Sequence, residues 1–279
     1  MKILLAAALC LLWAALPASA QGGEGDRWDA RITAATGEVS VHPAGGGDEV
    51  DGEAGLPLEE GDRVTTAQGA TAEIALDGGS LISLSEDSDF TLENTKKSES
   101  IFSVALGSIL AKIQKLGSQS LTVRSPTSVA AVRGTEFGVD VEAGASHVGV
   151  FDEGRVEVRS PSGGMEVLTP NQETSVARGE APRKAAPLKY FEARREQMRA
   201  HVRRLETVRR DYKPQSAVQR RERRVGAMKR LRQSRQERRA RGGGDVQRRR
   251  AEQRRKEDLR KKRAIQQRRR QGEREGERK

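Results

Sequence analysis

Val123-Arg124-Ser125-Pro126-Thr127-Ser128-Val129-Ala130-Ala131-Val132-Arg133-Gly134-Thr135-Glu136-Phe137-Gly138-Val139-Asp140-Val141, followed shortly by Val150-Phe151-Asp152-Glu153-Gly154-Arg155-Val156-Glu157-Val158, is the stretch that decides the fold. Val139 and Val141 alternate with Asp140 and Glu142, and Val156 and Val158 with Arg155, Glu157 and Arg159. Each run therefore offers one apolar and one polar face, the pattern of a half-buried strand. Asp152-Glu153-Gly154 supplies turn chemistry between them, because Gly154 adopts a positive φ at no steric cost. Gly134 separates two apolar runs and lets the backbone turn or approach a neighbour closely.

The same texture runs upstream. Alternating segments recur at Gly37 to Val41, Ala72 to Leu76, Ser80 to Leu84, Asp89 to Leu92 and Ser120 to Val123. Glu60-Gly61-Asp62, Asp77-Gly78-Gly79 and Glu86-Asp87-Ser88-Asp89 punctuate them as turns. Many short strands with Gly and Asp turns indicate an all-β sandwich, barrel or solenoid, and periodicity does not choose among the three. Phe102 to Ile113 reads two ways. Leu106, Ile109, Leu110 and Ile113 have helical spacing, whereas Phe102, Val104 and Leu106 alternate; we read strands around a turn at Gly107.

The Arg133-Gly134-Thr135-x-Phe137-x-Val139 run and the later Gly154-x-Val156 resemble the signature of the FecR domain. Gly61-Asp62-x-Val64-x-Thr66, the strand at Ala72 to Leu76, Asp77-Gly78-Gly79-Ser80 and the strand at Ile82 to Leu84 look like its opening. The resemblance covers about Gly37 to Val176. It implies a β-solenoid-like domain of stacked β-arcs, with Arg133, Gly134, Thr135, Phe137, Val139, Gly154 and Val156 as structural motif residues and Glu136 as a polar contact. Members often pair a periplasmic FecR domain with a membrane helix and a cytoplasmic anti-sigma segment, and receive a signal from an outer-membrane receptor.

Here the domain is preceded by something else. Lys2, an apolar run from Ile3 to Leu16 and Pro17-Ala18-Ser19-Ala20 read as a secretory signal peptide over residues 1–20. The run is shorter than the roughly 20 residues a membrane helix needs. Cys10 is the single cysteine, so cleavage leaves no disulfide or cysteine-based metal chemistry. On this reading the protein is exported, most simply to a periplasm, and the transmembrane route to a sigma factor is not carried over.

Charge divides the chain. Residues 21–181 hold 12 Lys and Arg against 27 Asp and Glu, whereas residues 182–279 hold 38 against 13. The expected organisation is a short lead over 21–36, a β domain over 37–178, a linker over 179–187, a basic helical region over 188–241 and a charged helical or disordered tail over 242–279. Phe191, Met198, Val202, Leu205, Val208 and Tyr212 form a narrow helical seam that Pro214 should end. The seam suits packing on the β domain or dimerisation. In the tail, Arg248-Arg249-Arg250, Lys261-Lys262-Arg263 and Arg268-Arg269-Arg270 would attract polyanions. An exported chain with few aromatic residues in its tail favours anionic lipid, lipopolysaccharide or an acidic neighbouring domain over nucleic acid.

Catalytic constellations are missing from the text. His42, His147 and His201 are isolated, no serine sits in a Gly-x-Ser-x-Gly elbow, and no zinc-ligand spacing occurs. Glu86-Asp87-Ser88-Asp89 lacks the glycine and distal glutamate of a calcium loop, and Gly45-Gly46-Gly47 lacks the lysine of a phosphate loop. The expectation is a non-enzymatic envelope module that needs no cofactor and recognises an envelope protein through its β domain. The alternative is a structural protein whose tail grips an anionic surface.

Overall fold

The computed structural model describes residues 26–114, 120–230 and 232–234. The expected signal peptide, Cys10 and the tail over 242–279 lie outside the described residues, as does the start of the expected lead.

Eight strands precede the centre of the fold: β1 (Ala30–Thr36), β2 (Val39–His42), β3 (Val50–Asp51), β4 (Pro57–Leu58), β5 (Arg63–Thr66), β6 (Thr71–Leu76), β7 (Ser80–Leu84) and β8 (Asp89–Asn94). The central strand is β9 (Ser100–Lys112). Another eight follow: β10 (Leu121–Arg124), β11 (Val129–Arg133), β12 (Glu136–Glu142), β13 (Ala145–Val150), β14 (Arg155–Arg159), β15 (Met165–Leu168), β16 (Gln172–Ala177) and β17 (Ala186–Pro187). Two helices close the described chain, α1 (Arg195–Asp211) and α2 (217–230).

Pairing sorts the strands into two sheets. The first runs β4-β1-β6-β7-β9-β12-β13-β16-β17. The second runs β3-β2-β5-β8-β9-β10-β11-β14-β15. Both contain β9. Its first half pairs with β8 and β10 in the second sheet, and from Gly107 it pairs with β7 and β12 in the first. Gly107 sits at φ 81°, and a Cβ there would lie 2.5 Å from the Cα of Ser88, so only glycine turns this corner freely. The expected strands around Gly107 are thus one strand crossing between sheets. Among the described residues every pairing is antiparallel except β9 with β10, and the arrangement is that of a sandwich. Parallel rung-on-rung stacking is confined to that one pair.

Alternation supplies the core. Ile32, Ile74, Ile82, Ile109, Phe137, Val139 and Val148 from the first sheet meet Val41, Val64, Phe90, Phe102, Val123, Val132 and Val156 from the second in one buried cluster. Phe90 and Phe102 pack edge to face at 5.5 Å.

Half-burial fails at the centre of the first sheet. All of β12 from Glu136 to Val141 is buried, including Gly138 and Asp140, whose positions alternate with the core residues. The cause is the segment after β16, which wraps the sandwich as a belt. From β17 it passes through Leu188 and Phe191 and crosses the outer face of the first sheet as α1. It then turns at 212–216 and places α2 beside the β3 and β4 edges, where Ala227 joins the main core and Met228 packs against it. Fully burying side chains the size of Phe191, Met198 and Leu205 contributes about 1.5–3 kcal/mol each.

Candidate functional site

The motif residues are joints of the sandwich. Phe137, Val139 and Val156 are core side chains. Gly134 and Gly154 have φ values of 56° and 102°. Thr135, fully buried, donates its hydroxyl toward the carbonyls of Arg133 and Arg155 at 3.1 and 3.2 Å and accepts the Arg155 N–H at 3.2 Å. A Cβ on Gly154 would collide with Thr135 Oγ1 and with the Gly134 carbonyl. The Gly-Thr pair and Gly154 therefore lock two tight turns face to face. Arg133 is exposed and faces Arg155 in register. Glu136 is buried and accepts from Lys112 Nζ at 3.0 Å, and Lys112 also pairs with Glu153. Burial pulls the Lys112 pKa down, but the Glu153 and Glu136 carboxylates outweigh it and hold it above its ordinary value. The other candidates, Arg248 to Arg250, Lys261 to Arg263 and Arg268 to Arg270, lie outside the described residues.

Sequence reasoning found the seam but not its seat. Gly138 and Gly149 face each other in register on β12 and β13, and both lie against the ring of Phe191. Phe191 in turn packs edge to face with Phe151 at 6.1 Å. Beside the slot, Arg194 pairs with Asp140 at 2.5 Å and donates to Ser108 Oγ. Arg195 reaches Asp152 at 2.7 Å, and Arg204 pairs with Glu73. At the centre of α1, His201 is buried between the Ser83 hydroxyl at 2.8 Å and the Leu81 carbonyl at 2.9 Å. Met198, Val202, Leu205, Val208 and Tyr212 complete the packing.

The second half of the belt has a different anchor. Asp62, the aspartate of the Gly61-Asp62 turn, is 1% exposed and accepts the Glu59 N–H at 2.8 Å and the Arg224 guanidinium at 3.1 Å. Arg224, although desolvated by burial, is kept charged by Asp62 and Glu59, and its pKa is raised. Asp29 is tied to Arg31 at 2.5 Å and accepts the Gln215 N–H at 2.7 Å. Arg31 also lies 4.1 Å over the ring of Tyr212. Between this anchor and the turn at 53–56 lies a groove of about 840 Å³ lined by Arg31, Glu53, Lys213, Glu222, Arg223 and Arg230, whose mixed signs select no ligand charge. Alternate Arg and Lys positions in a basic helix gave no signal of which would be buried; the acidic turns did not show which would receive them.

Among the described residues, one surface stays open. Thr91, Ser103, Thr122, Ala131 and Glu157 point outward from the second sheet and remain half-exposed or exposed, and neighbouring strands bring them side by side. The fold and the site thus define a two-sheet β domain with a self-docked basic belt and a polar sheet face that the described residues leave uncovered.

The family model described as FecR protein matches residues 62–157, about a third of the chain, so the centre of the sandwich, from β5 to β14, is a FecR-like domain. The match is narrower than the resemblance read from Gly37 to Val176, and it leaves out β1 to β4 and the whole belt. Two crystal structures of a candidate anti-sigma factor from Parabacteroides distasonis are similar at 16% identity, with TM-scores of 0.42 and 0.41. The alignments cover 47% of this chain and 62% of that one. No curated protein matches the chain. No helix among the described residues is long and apolar enough to cross a membrane.

Proposed function

We propose that this protein is an exported, non-enzymatic sensory and protein-interaction module of the bacterial envelope, acting through its FecR-like domain. The observation that carries this reading is the family match over residues 62–157 together with the open outer face of the second sheet. The belt occupies the outer face of the first sheet, so a protein partner has the Thr91, Ser103 and Thr122 face available. A polar, flat β face suits a specific envelope protein better than a lipid surface. Photocrosslinking residues at positions 91 and 103 test the reading in the native envelope. Capture of one envelope protein by both the full chain and a chain ending at Ser234 supports it, and absence of capture from both positions refutes it.

A second reading has its own observation. Residues 26–234 carry 30 Lys and Arg against 31 Asp and Glu, a balance of −1, whereas residues 235–279 carry 20 against 8, a balance of +12. The belt's charge is balanced within residues 26–234, whereas the last segment carries an excess within its own sequence. On this reading the protein is a structural envelope component whose final segment binds anionic lipid or lipopolysaccharide. Salt-sensitive sedimentation of the full chain with anionic vesicles, lost on ending the chain at Ser234, would favour it.

A further inference from the structure

The contacts between α1 and the first sheet are of three kinds. Apolar ones come from Met198, Val202, Leu205 and Val208 against Leu110, Ala75 and Leu81. Charged ones come from Arg194 with Asp140, Arg195 with Asp152 and Arg204 with Glu73. The third is His201, 5% exposed, at the middle of the helix.

Its two partners fix one ring proton. Leu81 offers only a carbonyl, so Nε2 carries a proton and donates it at 2.9 Å. Nδ1 lies 2.8 Å from the Ser83 hydroxyl, which donates to a neutral ring and accepts from a protonated one, and burial favours the neutral ring. A second proton would place a full charge in this site with only a hydroxyl and a carbonyl in direct contact. From β6 the charged group facing it is Glu73, which is already paired with Arg204 on α1 itself. β7 contributes only Ser83 and the Leu81 carbonyl, and on β9 Lys112, in register with Leu81, is paired with Glu136 and Glu153.

We propose that α1 is an acid-released latch, with His201 as the proton sensor that lifts the helix from β7 and uncovers Ala75 and Leu81. Burial holds the imidazole pKa below its ordinary value, against the upward pulls of the Leu81 carbonyl and Glu73, and Arg204 adds to the lowering. The sign follows. A released His201 binds its proton near pH 6.5, whereas the docked one binds it only at lower pH. Both are neutral above that value, and docking is then unaffected. As pH falls below about 6.5 the proton favours the released helix, by up to about tenfold per pH unit for one proton, until the docked form also protonates. Carboxylates as a class titrate about two units lower, so the window from pH 7.5 to 5.5 selects the histidines as a class, and the comparison with His201→Gln separates His201 from His42 and His147.

Hydrogen exchange of the full chain, corrected for intrinsic rate, reads the opening of residues 195–211 at pH 7.5 and 5.5. The opening constant should rise several-fold at pH 5.5 in the wild type and stay level in His201→Gln. Equal opening at both pH values in the wild type overturns the proposal, as does an unchanged pH response in H201Q. Leu205→Ala should open the helix more at both pH values and keep the wild-type slope. Should H201Q fail to dock at pH 7.5, titration of the His201 ring by NMR in the wild type decides. A midpoint below 6.5 upholds the latch, and one at or above 6.5 refutes it.

Discussion

A Cβ on Gly149 would stand 2.5 Å from Cδ2 of Phe191, so the absence of a side chain on β13 is what seats the belt's first aromatic anchor. Gly138, opposite in register, gives the ring its other wall, where a Cβ would stand 2.7 Å from Cε1. Two glycines paired across strands would ordinarily weaken a sheet. Here they make a slot, and the ring that fills it replaces the packing they lack.

Adding a methyl group there should therefore unseat Phe191. Gly149→Ala is expected to cost about 1–3 kcal/mol through overpacking, read by urea denaturation. Phe191→Ala should cost about 3–5 kcal/mol. In the F191A background the added methyl should cost far less, and an undiminished cost would show that the slot serves another purpose.

Thr135 makes a sharper test because the change is small. Thr135→Val keeps the shape of the side chain and strands the Arg155 N–H that the hydroxyl satisfies. A loss of about 1–3 kcal/mol is expected, with Thr135→Ser, which keeps the hydroxyl, losing much less. Equal destabilisation by Val and Ser would mean that the methyl, not the hydroxyl, is what the turn requires.

The Asp62–Arg224 pair predicts an asymmetry. The two side chains are 1% and 12% exposed, so deleting one leaves the other desolvated without its counter-charge. Arg224→Met alone should cost about 3–5 kcal/mol, whereas Asp62→Asn with Arg224→Met should be closer to wild type. A double-mutant cycle by chemical denaturation measures the coupling. Coupling below about 0.5 kcal/mol would place the pair with surface ion pairs.

Truncation separates belt from tail. Ending the chain after Pro187 removes the cover from Leu110, Phe151, Ala75 and Leu81 and takes Ala227 from the core. Such a chain should bind a hydrophobic dye and self-associate, while one ending at Ser234 should stay monodisperse by light scattering. An equally well-behaved chain ending at Pro187 would make the belt dispensable for folding.

Much of this was legible in the text. Alternation found β2, β6 to β8, β10, β12 and β14 but not β1, β3, β4, β13 or β15 to β17, Gly and Asp placed turns between them, and the Arg133 to Val139 run marked the centre of the sandwich. The helical seam from Phe191 to Tyr212 and the break before α2 were also visible. These are local signals, set by side-chain periodicity and by the φ range a residue tolerates.

The sequence alone also determined the charge asymmetry, because counting needs no coordinates. It did not determine where that charge goes. Asp140 read as a solvated polar position on a half-buried strand, yet it is covered, because Arg194 lies 54 residues further on and reaches it only when the belt closes. Nor could pattern distinguish a strand turning at Gly107 from one crossing there between two sheets. Register, the choice of sandwich over stacked arcs, and the burial of Asp62 and His201 belong to the tertiary structure. Each depends on contacts between distant residues, whose free energy exists only once both surfaces meet.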